Sequence, residues 1–477
     1  MDIKNVSLQT PYQNQPQSTA DKGEGAAAEI DMKEKVSPSI RKDALTQQME
    51  QLQQMSQAQK TGAPPEPGSK EYWTNQARHM TDFFAKVSVD SADGGYYTHI
   101  DSAGQVSNPN EKFLMPTSRQ VWSYAANYMM TGDSKSLELA RHGVDFILAH
   151  HMRTDEQGEV YWMQQVDKKG NLVEGADKAP LMINEQTYGL TGLIEYYKAT
   201  KDPKILDIIQ KGHQFITNRY SDSVNGGFFD SVDPQSFEAA HTKSYNSTIY
   251  PATSALLEMS DIAEGDWKKQ INRQIRELAD IFIRHFPDPK TGFIKENFTE
   301  DWREDWRGWQ KQPEGSIGVT GHNTQGALFL LRADRLLTSE GMITADESKK
   351  YKAAAKAVLN SILDRGYDRE HGGWYDVFVR ETGTNMWHTN KAFWQQEEGY
   401  LATLAMSKID PDPRYAEASD QTLKFWDQCF IDREAGGDRM TVASDGTPLA
   451  DPKGGPGKSS YHSTEMARLA LEINKWA

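Results

Sequence analysis

Gly372-Gly-Trp-Tyr375 is one of six short stretches in which a glycine is followed closely by aromatic or β-favouring residues. The six stretches begin at Gly94, Gly158, Gly226, Gly292, Gly372 and Gly436, and they are 64, 68, 66, 80 and 64 residues apart. A period of this length holds two helices and a turn, and each stretch suits a short strand or hairpin. The sequence therefore predicts six copies of one helix-pair unit.

Between these stretches the apolar residues follow a helical period, which predicts twelve helices. Their starts are expected near residues 71, 117, 136, 184, 203, 248, 267, 322, 344, 391, 412 and 462. Residues 322–337 are apolar around most of the helix, whereas residues 267–286 carry a charged face. Because inner helices bury more of their circumference, the even-numbered helices should form an inner ring. The predicted fold is all-α, an (α/α)6 barrel of twelve helices with short β-hairpins at one mouth.

The first part of the chain has a different composition. Residues 1–69 are rich in Gln, Ser, Ala, Pro and Lys and have almost no aromatic residues. Such a segment cannot bury enough apolar surface to offset the entropy lost on ordering. We therefore expect a disordered leader and linker over residues 1–69 and a barrel-shaped catalytic domain over residues 70–477.

The overall composition narrows the functional classes. The chain of 477 residues has 53 Lys and Arg against 68 Asp and Glu, and this net charge of −15 repels nucleic acid and anionic membranes. The single cysteine, Cys429, indicates a reducing compartment, and no apolar run is long enough to cross a bilayer. These features predict a cytoplasmic protein with no nucleic-acid or membrane partner; the alternative is export by a bacterial secretion system through the leader. No nucleotide, flavin or metal motif is recognisable, so neither a cofactor nor a metal site is predicted.

Polar and aromatic residues gather at the N-terminal ends of the even-numbered helices. They are Arg119, Trp122, Asn184, Glu185, Gln186, Asn246, Tyr250, His322, Lys391, Trp394, Glu398 and His462. Burying so many polar groups at one end of a barrel is costly unless they are paired or used, so they predict a site. The positive ends of six helices would favour an anionic intermediate there. The candidates to stack on a sugar are Trp122, Trp374, Trp387 and Trp394, and those for a lid are Trp306 and Trp309.

Each of these residues also has a structural interpretation. A lone histidine at a helix start is more often a cap than a catalyst, and Arg119 and Glu398 could form an ion pair inside the barrel. Barrels of this kind also include glycoside hydrolases and lyases, for which Glu398, Glu185 and Asp376 are the available carboxyl groups. A non-catalytic carbohydrate-binding protein is the third alternative.

Four segments carry a resemblance to a known family. They are Arg119-Gln-Val-Trp122, Gly321-His322-Asn-Thr-Gln325, Phe393-Trp394-Gln-Gln396-Glu-Glu398 and Tyr461-His462-Ser-Thr-Glu465. With these four segments in this order, the chain resembles the N-acylglucosamine 2-epimerases and their relatives cellobiose 2-epimerase, mannose isomerase and sulfoquinovose isomerase. The resemblance covers about residues 72–477. The resemblance implies an (α/α)6 barrel that acts on a mono- or disaccharide as a monomer or homodimer.

The resemblance also implies roles for individual residues. His322 and His462 match histidines that exchange protons with the carbon next to the sugar carbonyl, and Arg119 matches an arginine that contacts the substrate oxygens there. Removing the C2 proton of an open-chain aldose produces an enediolate, which needs a base of near-neutral pKa and a cation for the developing oxyanion. A 2-epimerase returns the proton to the other face of C2, whereas an aldose–ketose isomerase returns it to C1. The predicted catalytic residues are therefore His322, His462 and Arg119.

The remaining residues at the mouth are predicted to bind the substrate. They are Trp122, Asn246, Tyr250, Gln325, Trp394, Glu398 and Lys391. The mouth departs from the family pattern at three positions: Tyr250 replaces a histidine, Gln325 a glutamate and Glu465 an arginine. The change at Gln325 removes a carboxylate that would orient His322.

Overall fold

Helices arranged in pairs make up most of the part of the chain that the structure describes. This computed structural model describes residues 65–306, 311–312, 315–385 and 390–476, and the side chains of residues 311, 312, 315 and 385 are not described. The predicted leader lies almost wholly outside the described residues, as do Trp309 and Trp387. The disorder of the leader and its end at residue 69 stay predictions.

The described residues form twelve helices, each of which begins within three residues of its predicted start. They are α1 Lys70–Val87, α2 Leu114–Thr131, α3 Ser134–Phe146 with a π-helical end Ile147–His151, α4 Ile183–Thr200, α5 Pro203–Tyr220, α6 Tyr245–Tyr250 continued through the π-helical Pro251–Leu256 to Leu257–Ser260, α7 Gly265–His285, α8 Thr320–Ser339, α9 Ala345–Arg365, α10 Phe393–Ser407, α11 Pro413–Phe425 with a π-helical end Trp426–Phe430, and α12 Tyr461–Ile473. None of the helices in the described ranges is long and apolar enough to span a membrane.

The even-numbered helices form the inner ring, which confirms the predicted (α/α)6 arrangement. Each of them packs against two other even-numbered helices, and α12 packs against α2, so the ring is closed. Helix α2 buries every residue from Leu114 to Asn127, whereas α7 buries one face that includes Ile271, Ile275 and Phe282. The difference follows from position, because an inner helix has neighbours on all sides and an outer helix meets water on one.

Short antiparallel strands lie at the end of the barrel where the inner helices begin. They are β1 His99–Ile100, β2 Val106–Asn108, β3 Glu111–Phe113, β4 Met152–Thr154, β5 Val160–Trp162, β6 Gln165–Asp167, β7 Leu181–Met182, β8 Ser231–Val232, β9 Thr242–Ser244, β10 Asn297–Thr299, β11 Lys311–Gln312, β12 Gly315–Val319, β13 Val377–Val379, β14 Thr384–Asn385, β15 Asn390–Ala392 and β16 Thr441–Ala443. The pairs are β1–β2, β3–β6, β4–β5, β7–β8, β9–β10 and β15–β16, and β11–β12–β13–β14 form one sheet. The strand that precedes an inner helix thus pairs with the next unit, and a bridge from Ile100 to Gly454 connects the last unit to the first.

The first backbone N–H of five inner helices donates to a carbonyl oxygen in the hairpin of the next unit. The donor and acceptor residues are Leu114 and Gln164, Ile183 and Asp230, Tyr245 and Glu296, Thr320 and Asp376, and Phe393 and Met440. This repeated bond satisfies one of the N–H groups that a helix start leaves unpaired. It also places one hairpin side chain per unit at the mouth of the barrel.

A buried or half-buried aspartate–cation pair anchors the hairpin turn in five units. The aspartate lies four residues before the repeated glycine, and the pairs are Asp90–Lys112, Asp222–Lys243, Asp288–Arg380, Asp368–Lys391 and Asp432–Lys453. The Lys391 ammonium also donates to the carbonyl oxygens of Gly372 and Ser444, and its side chain is fully buried. All three Lys391 donors are thus used to hold the turn, which favours a structural role, and substrate binding by Lys391 stays a prediction.

Replacing Lys391 with methionine is expected to lower the free energy of unfolding by about 3–5 kcal/mol, because it leaves the buried Asp368 carboxylate without its cation. Burial opposes ionisation of Asp368, but the Lys391 hydrogen bond and two backbone N–H groups outweigh it and lower the pKa to about 2. The stabilisation is therefore full above the unfolded pKa of about 3.9 and is lost as the pH falls through 2. Urea unfolding at several pH values measures both effects.

The control is Lys349→Met, since the Lys349 side chain is 78% exposed beside Asp346. An exposed pair of this kind contributes at most about 1 kcal/mol. Equal losses of stability in the two variants would contradict the anchoring role of Lys391.

Candidate active site

The two predicted catalytic histidines meet at one tryptophan. The ring centroid of His322 lies 5.5 Å from that of Trp394, and the ring centroid of His462 lies 6.2 Å from it. The side chains of His322 and His462 are 12% and 11% exposed. Helices α8, α10 and α12 contribute these residues within their first three positions, so the structure brings all three side chains together at the mouth.

His322 has a carboxylate partner that the sequence did not reveal. Its Nδ1 lies 2.9 Å from Oε2 of Glu296, and Nε2 makes no hydrogen bond to a described residue. The ring of Tyr245 lies face to face with His322 at 3.9 Å and an interplanar angle of 14°. The loss of a carboxylate at Gln325 therefore does not leave His322 without one.

His462 is surrounded by charged groups but makes no hydrogen bond to a described residue. Its Nδ1 lies 3.9 Å from carboxylate oxygens of both Glu398 and Glu465. Burial, together with the positive charges of Arg119 and Lys458, lowers the pKa of His462 well below its usual range. His462 is therefore a neutral imidazole at pH 7, which is the form that accepts a proton.

Arg119 is a buried cation without a carboxylate partner among the described residues. It is 5% exposed, and its guanidinium donates to the carbonyl oxygen of Gly457 at 2.9 Å and to the Tyr188 hydroxyl at 2.6 Å. The rings of Tyr188 and Tyr461 lie 4.2 and 5.1 Å from it. The suggested ion pair with Glu398 is not formed, and the uncompensated charge favours an anion in the pocket.

A chain of hydrogen bonds connects the surroundings of the two histidines. The Tyr245 hydroxyl donates to Oε1 of Gln325 at 2.5 Å, and Nε2 of Gln325 donates to Oε1 of Glu398 at 2.6 Å. Burial, followed by the charge of Glu465, raises the pKa of Glu398 well above its usual range, and burial also raises that of Glu465. Burial therefore disfavours the ionised form of both carboxyl groups.

One group of side chains has the chemistry and spacing of a metal site. The nitrogen and oxygen ligand atoms of Glu398, His462 and Glu465 lie within 4.8 Å of one another. A divalent cation held there would be bound by a ring nitrogen of His462 and by one oxygen of each carboxyl group.

Tyr250 and Asn246 lie beside these groups on α6. The Tyr250 ring lies 5.7 Å from that of Tyr188 and 5.9 Å from that of Tyr245. It therefore packs between the tyrosine that contacts Arg119 and the tyrosine that stacks on His322. Both Tyr250 and Asn246 are half-buried. A phenol at position 250 supplies a hydroxyl where the family pattern has an imidazole.

Two tryptophans predicted to stack on a sugar are instead part of the packing. Trp122 is 1% exposed and packs on the Tyr461 ring at 4.9 Å, and Trp374 is fully buried and donates to the Thr422 hydroxyl. Neither ring has a face open to a ligand in this structure, which favours a packing role, and stacking of Trp122 on a sugar stays a prediction. Trp306, a predicted lid residue, stacks on the guanidinium of Arg380 at 4.6 Å.

Glu296 and Tyr245 were missed because neither belongs to a recognisable motif. A signal for Glu296 does exist in the repeat, since it lies four residues after Gly292, as Asp376 lies four residues after Gly372. Tyr245 carries no such signal. Its role depends on the ring of His322, which lies on a different helix.

Comparison with known proteins shows which family this sequence matches. The sequence profile of the N-acylglucosamine 2-epimerase family matches residues 95–466. The chain is 24% identical over 407 residues to the cellobiose 2-epimerase of Bacteroides fragilis, covering 82% of this chain and 94% of that protein. It is 21% identical over 398 residues to the D-mannose isomerase of Marinomonas mediterranea, covering 80% and 91%.

Solved structures share the barrel. A D-mannose isomerase superposes with a TM-score of 0.74 at 18% identity, covering 86% of this chain and 100% of that chain. An α-mannanase of glycoside hydrolase family 76 from Bacteroides thetaiotaomicron superposes with a TM-score of 0.55 at 14% identity, covering 85% and 95%. These likenesses concern the fold alone. Because the family profile spans most of the barrel, from residue 95 to residue 466, the chain belongs to the N-acylglucosamine 2-epimerase family.

Proposed function

We propose that the protein interconverts sugars through an enediolate, with His322 and His462 moving protons at C2 of an open-chain aldose. Its family and its epimerase and isomerase relatives support an enzyme of the carbohydrate epimerase and isomerase class. The observation that carries the proton-transfer proposal is the placement of two histidines beside one tryptophan, each with a ring nitrogen that bonds no described residue.

The chemistry requires a base, an oxyanion site and an acid. In the first step a histidine takes the C2 proton, the C2–H electron pair forms the C1–C2 double bond, and the carbonyl π electrons move onto O1. Arg119 stabilises the negative O1, because it is a buried cation with no ion pair of its own. The starts of the inner helices add positive potential at the same mouth.

The fate of the proton decides the product. Return to the opposite face of C2 yields the 2-epimer, and the second histidine donates that proton. Return to C1, with transfer of a proton from O2 to O1, yields the ketose. Trp394 offers its half-buried ring to the sugar, and the carboxyl of Glu398, whose pKa is raised by burial, offers a hydrogen bond to a sugar hydroxyl.

The test is solvent deuterium exchange followed by proton NMR. The protein is incubated in D2O with mannose, glucose, N-acetylglucosamine, N-acetylmannosamine or cellobiose, and loss of the C2 signal is recorded. We expect one sugar to exchange and to form an epimer or a ketose. His462→Ala should abolish exchange from the C2 epimer whose proton faces His462, whereas His241→Ala should not slow exchange from either epimer, since the His241 side chain is 68% exposed.

Two outcomes would overturn the proposal. Exchange that survives from both C2 epimers in His462→Ala would remove this histidine from the mechanism. Release of glucose from cellobiose without C2 exchange would support the glycoside hydrolase alternative instead, since hydrolysis breaks no C–H bond.

A further inference from the structure

Glu296 occupies a position that the fold repeats. Its carbonyl oxygen accepts the first N–H of α6, as the carbonyl oxygen of Asp376 does for α8. Its side chain reaches the third residue of the next inner helix, His322, just as Asp376 reaches Gln395, the third residue of α10. The hairpin pairing of the barrel therefore aims this carboxylate at His322.

The pairing at this position has an electrostatic consequence. Glu296 is 2% exposed, its Oε2 contacts His322, and its Oε1 has no hydrogen-bond partner among the described residues. A buried carboxylate with one unsatisfied oxygen is costly on its own. That cost falls when His322 takes up a proton, because the imidazolium then compensates the charge.

Two aromatic rings restrict the orientation of His322. Tyr245 covers one face at 3.9 Å, and its backbone N–H donates to the carbonyl oxygen of Glu296, so a hydrogen bond connects the two partners of His322. Trp394 approaches from α10, where Gly321 leaves room for it: a Cβ at Gly321 would lie 2.4 Å from the Trp394 ring. The edge that remains free carries Nε2.

We propose that Glu296 is a positioning residue of the reaction: it keeps a proton on Nδ1 of His322, leaves Nε2 as the nitrogen that exchanges a proton with the sugar, and stabilises the imidazolium. This inference rests on the proposed function. It also accounts for Gln325, because a neighbouring hairpin supplies the carboxylate that the family pattern has on α8.

The first test is spectroscopic and needs no substrate. Protein labelled with 15N-histidine is examined by long-range 1H–15N NMR, and the His322 signals are identified by their absence in His322→Asn. We expect a protonated Nδ1 and a bare Nε2. Glu296→Met, which has a similar length but no acceptor, should convert His322 to a mixture of tautomers.

The second test is kinetic. Glu296→Met is expected to lower kcat by about 10²- to 10⁴-fold with KM changed less than about threefold, as for a carboxylate that orients a catalytic imidazole. Glu296→Gln keeps a hydrogen-bond acceptor, so its kcat should lie between that of Glu296→Met and that of the unsubstituted enzyme. The matched control is Asp230→Asn, because Asp230 holds the equivalent hairpin position but bonds the Ser244 hydroxyl.

The outcomes separate this inference from the proposed function. A proton on Nε2 of His322 in the unsubstituted protein, or a Glu296→Met variant that keeps its tautomer and its kcat, would overturn the inference. If the tautomer changes as expected but no sugar exchanges deuterium, the geometry stands and the proposed function fails. A melting temperature in Glu296→Met close to that of the unsubstituted protein shows that the fold is intact.

Discussion

Replacing His462 with asparagine is expected to stop proton removal from one C2 epimer, and replacing His322 with asparagine to stop it from the other. The reason is geometric, since two bases that approach C2 from opposite faces each serve one configuration. A general acid or base contributes about 10²- to 10⁴-fold to the rate, so each variant should lose that much interconversion. Each should still exchange deuterium into the epimer that faces its remaining histidine.

The measurement is C2 exchange started separately from each epimer of the sugar that the unsubstituted enzyme accepts. If the product is a ketose, the reaction needs only one base, and only one of the two histidine variants should lose exchange. If both variants keep exchange within about threefold of the unsubstituted enzyme, neither histidine carries the proton. The His241→Ala control distinguishes a specific loss from damage during preparation.

Replacing Gln325 with glutamate is the second substitution for which we expect a large effect, although it restores the residue of the family pattern. The Gln325 amide accepts from Tyr245 and donates to Glu398, and an ionised carboxylate cannot donate. It would also add a third carboxyl group beside Glu398 and Glu465. An uncompensated buried charge costs about 3–5 kcal/mol, so kcat/KM at neutral pH should fall about 10²- to 10⁴-fold.

The pH dependence and a second substitution test this explanation. A protonated glutamate can donate as the amide does, so the loss in Gln325→Glu should be smallest in acid and should grow as the pH rises. Adding Glu465→Arg supplies a cation and should recover at least about tenfold of the lost kcat/KM. Gln325→Met, which adds no charge, is the control. If kcat/KM falls by the same factor in Gln325→Glu and Gln325→Met, and the fall does not depend on pH, the electrostatic explanation is contradicted.

The barrel could be predicted because its signals are local. A glycine that begins each hairpin turn and an apolar period of 3.6 residues depend on neighbouring residues, and both recur at a regular spacing. The inner helices were identified from the apolar circumference of residues 322–337. The same local signals could not tell a polar residue that holds the fold from one that lines the pocket. Lys391 is the example, since its partner Asp368 lies in another part of the unit.

The burial of the Trp122 ring could not be predicted for a related reason. Its position near the start of α2 is correct, but the direction of a side chain depends on the helix that packs beside it. Here Tyr461 and Arg468 of α12 cover the Trp122 ring. A periodic pattern indicates which residues share one face of a helix, but it does not indicate which neighbouring element covers that face.

The sequence by itself determined the helix pairs, the family, and the presence of His322, His462 and Arg119 at one end of the inner helices. Only the tertiary structure decided which carboxylate serves which histidine. Glu296 and His322 are in contact although they are 26 residues apart in the sequence, and Gln325 and Glu398 are in contact although they are 73 residues apart. Such contacts depend on strand pairing between successive units and on adjacent inner helices, and no residue type or local spacing encodes the partner. The chemistry at the mouth therefore follows from the packing of the whole ring.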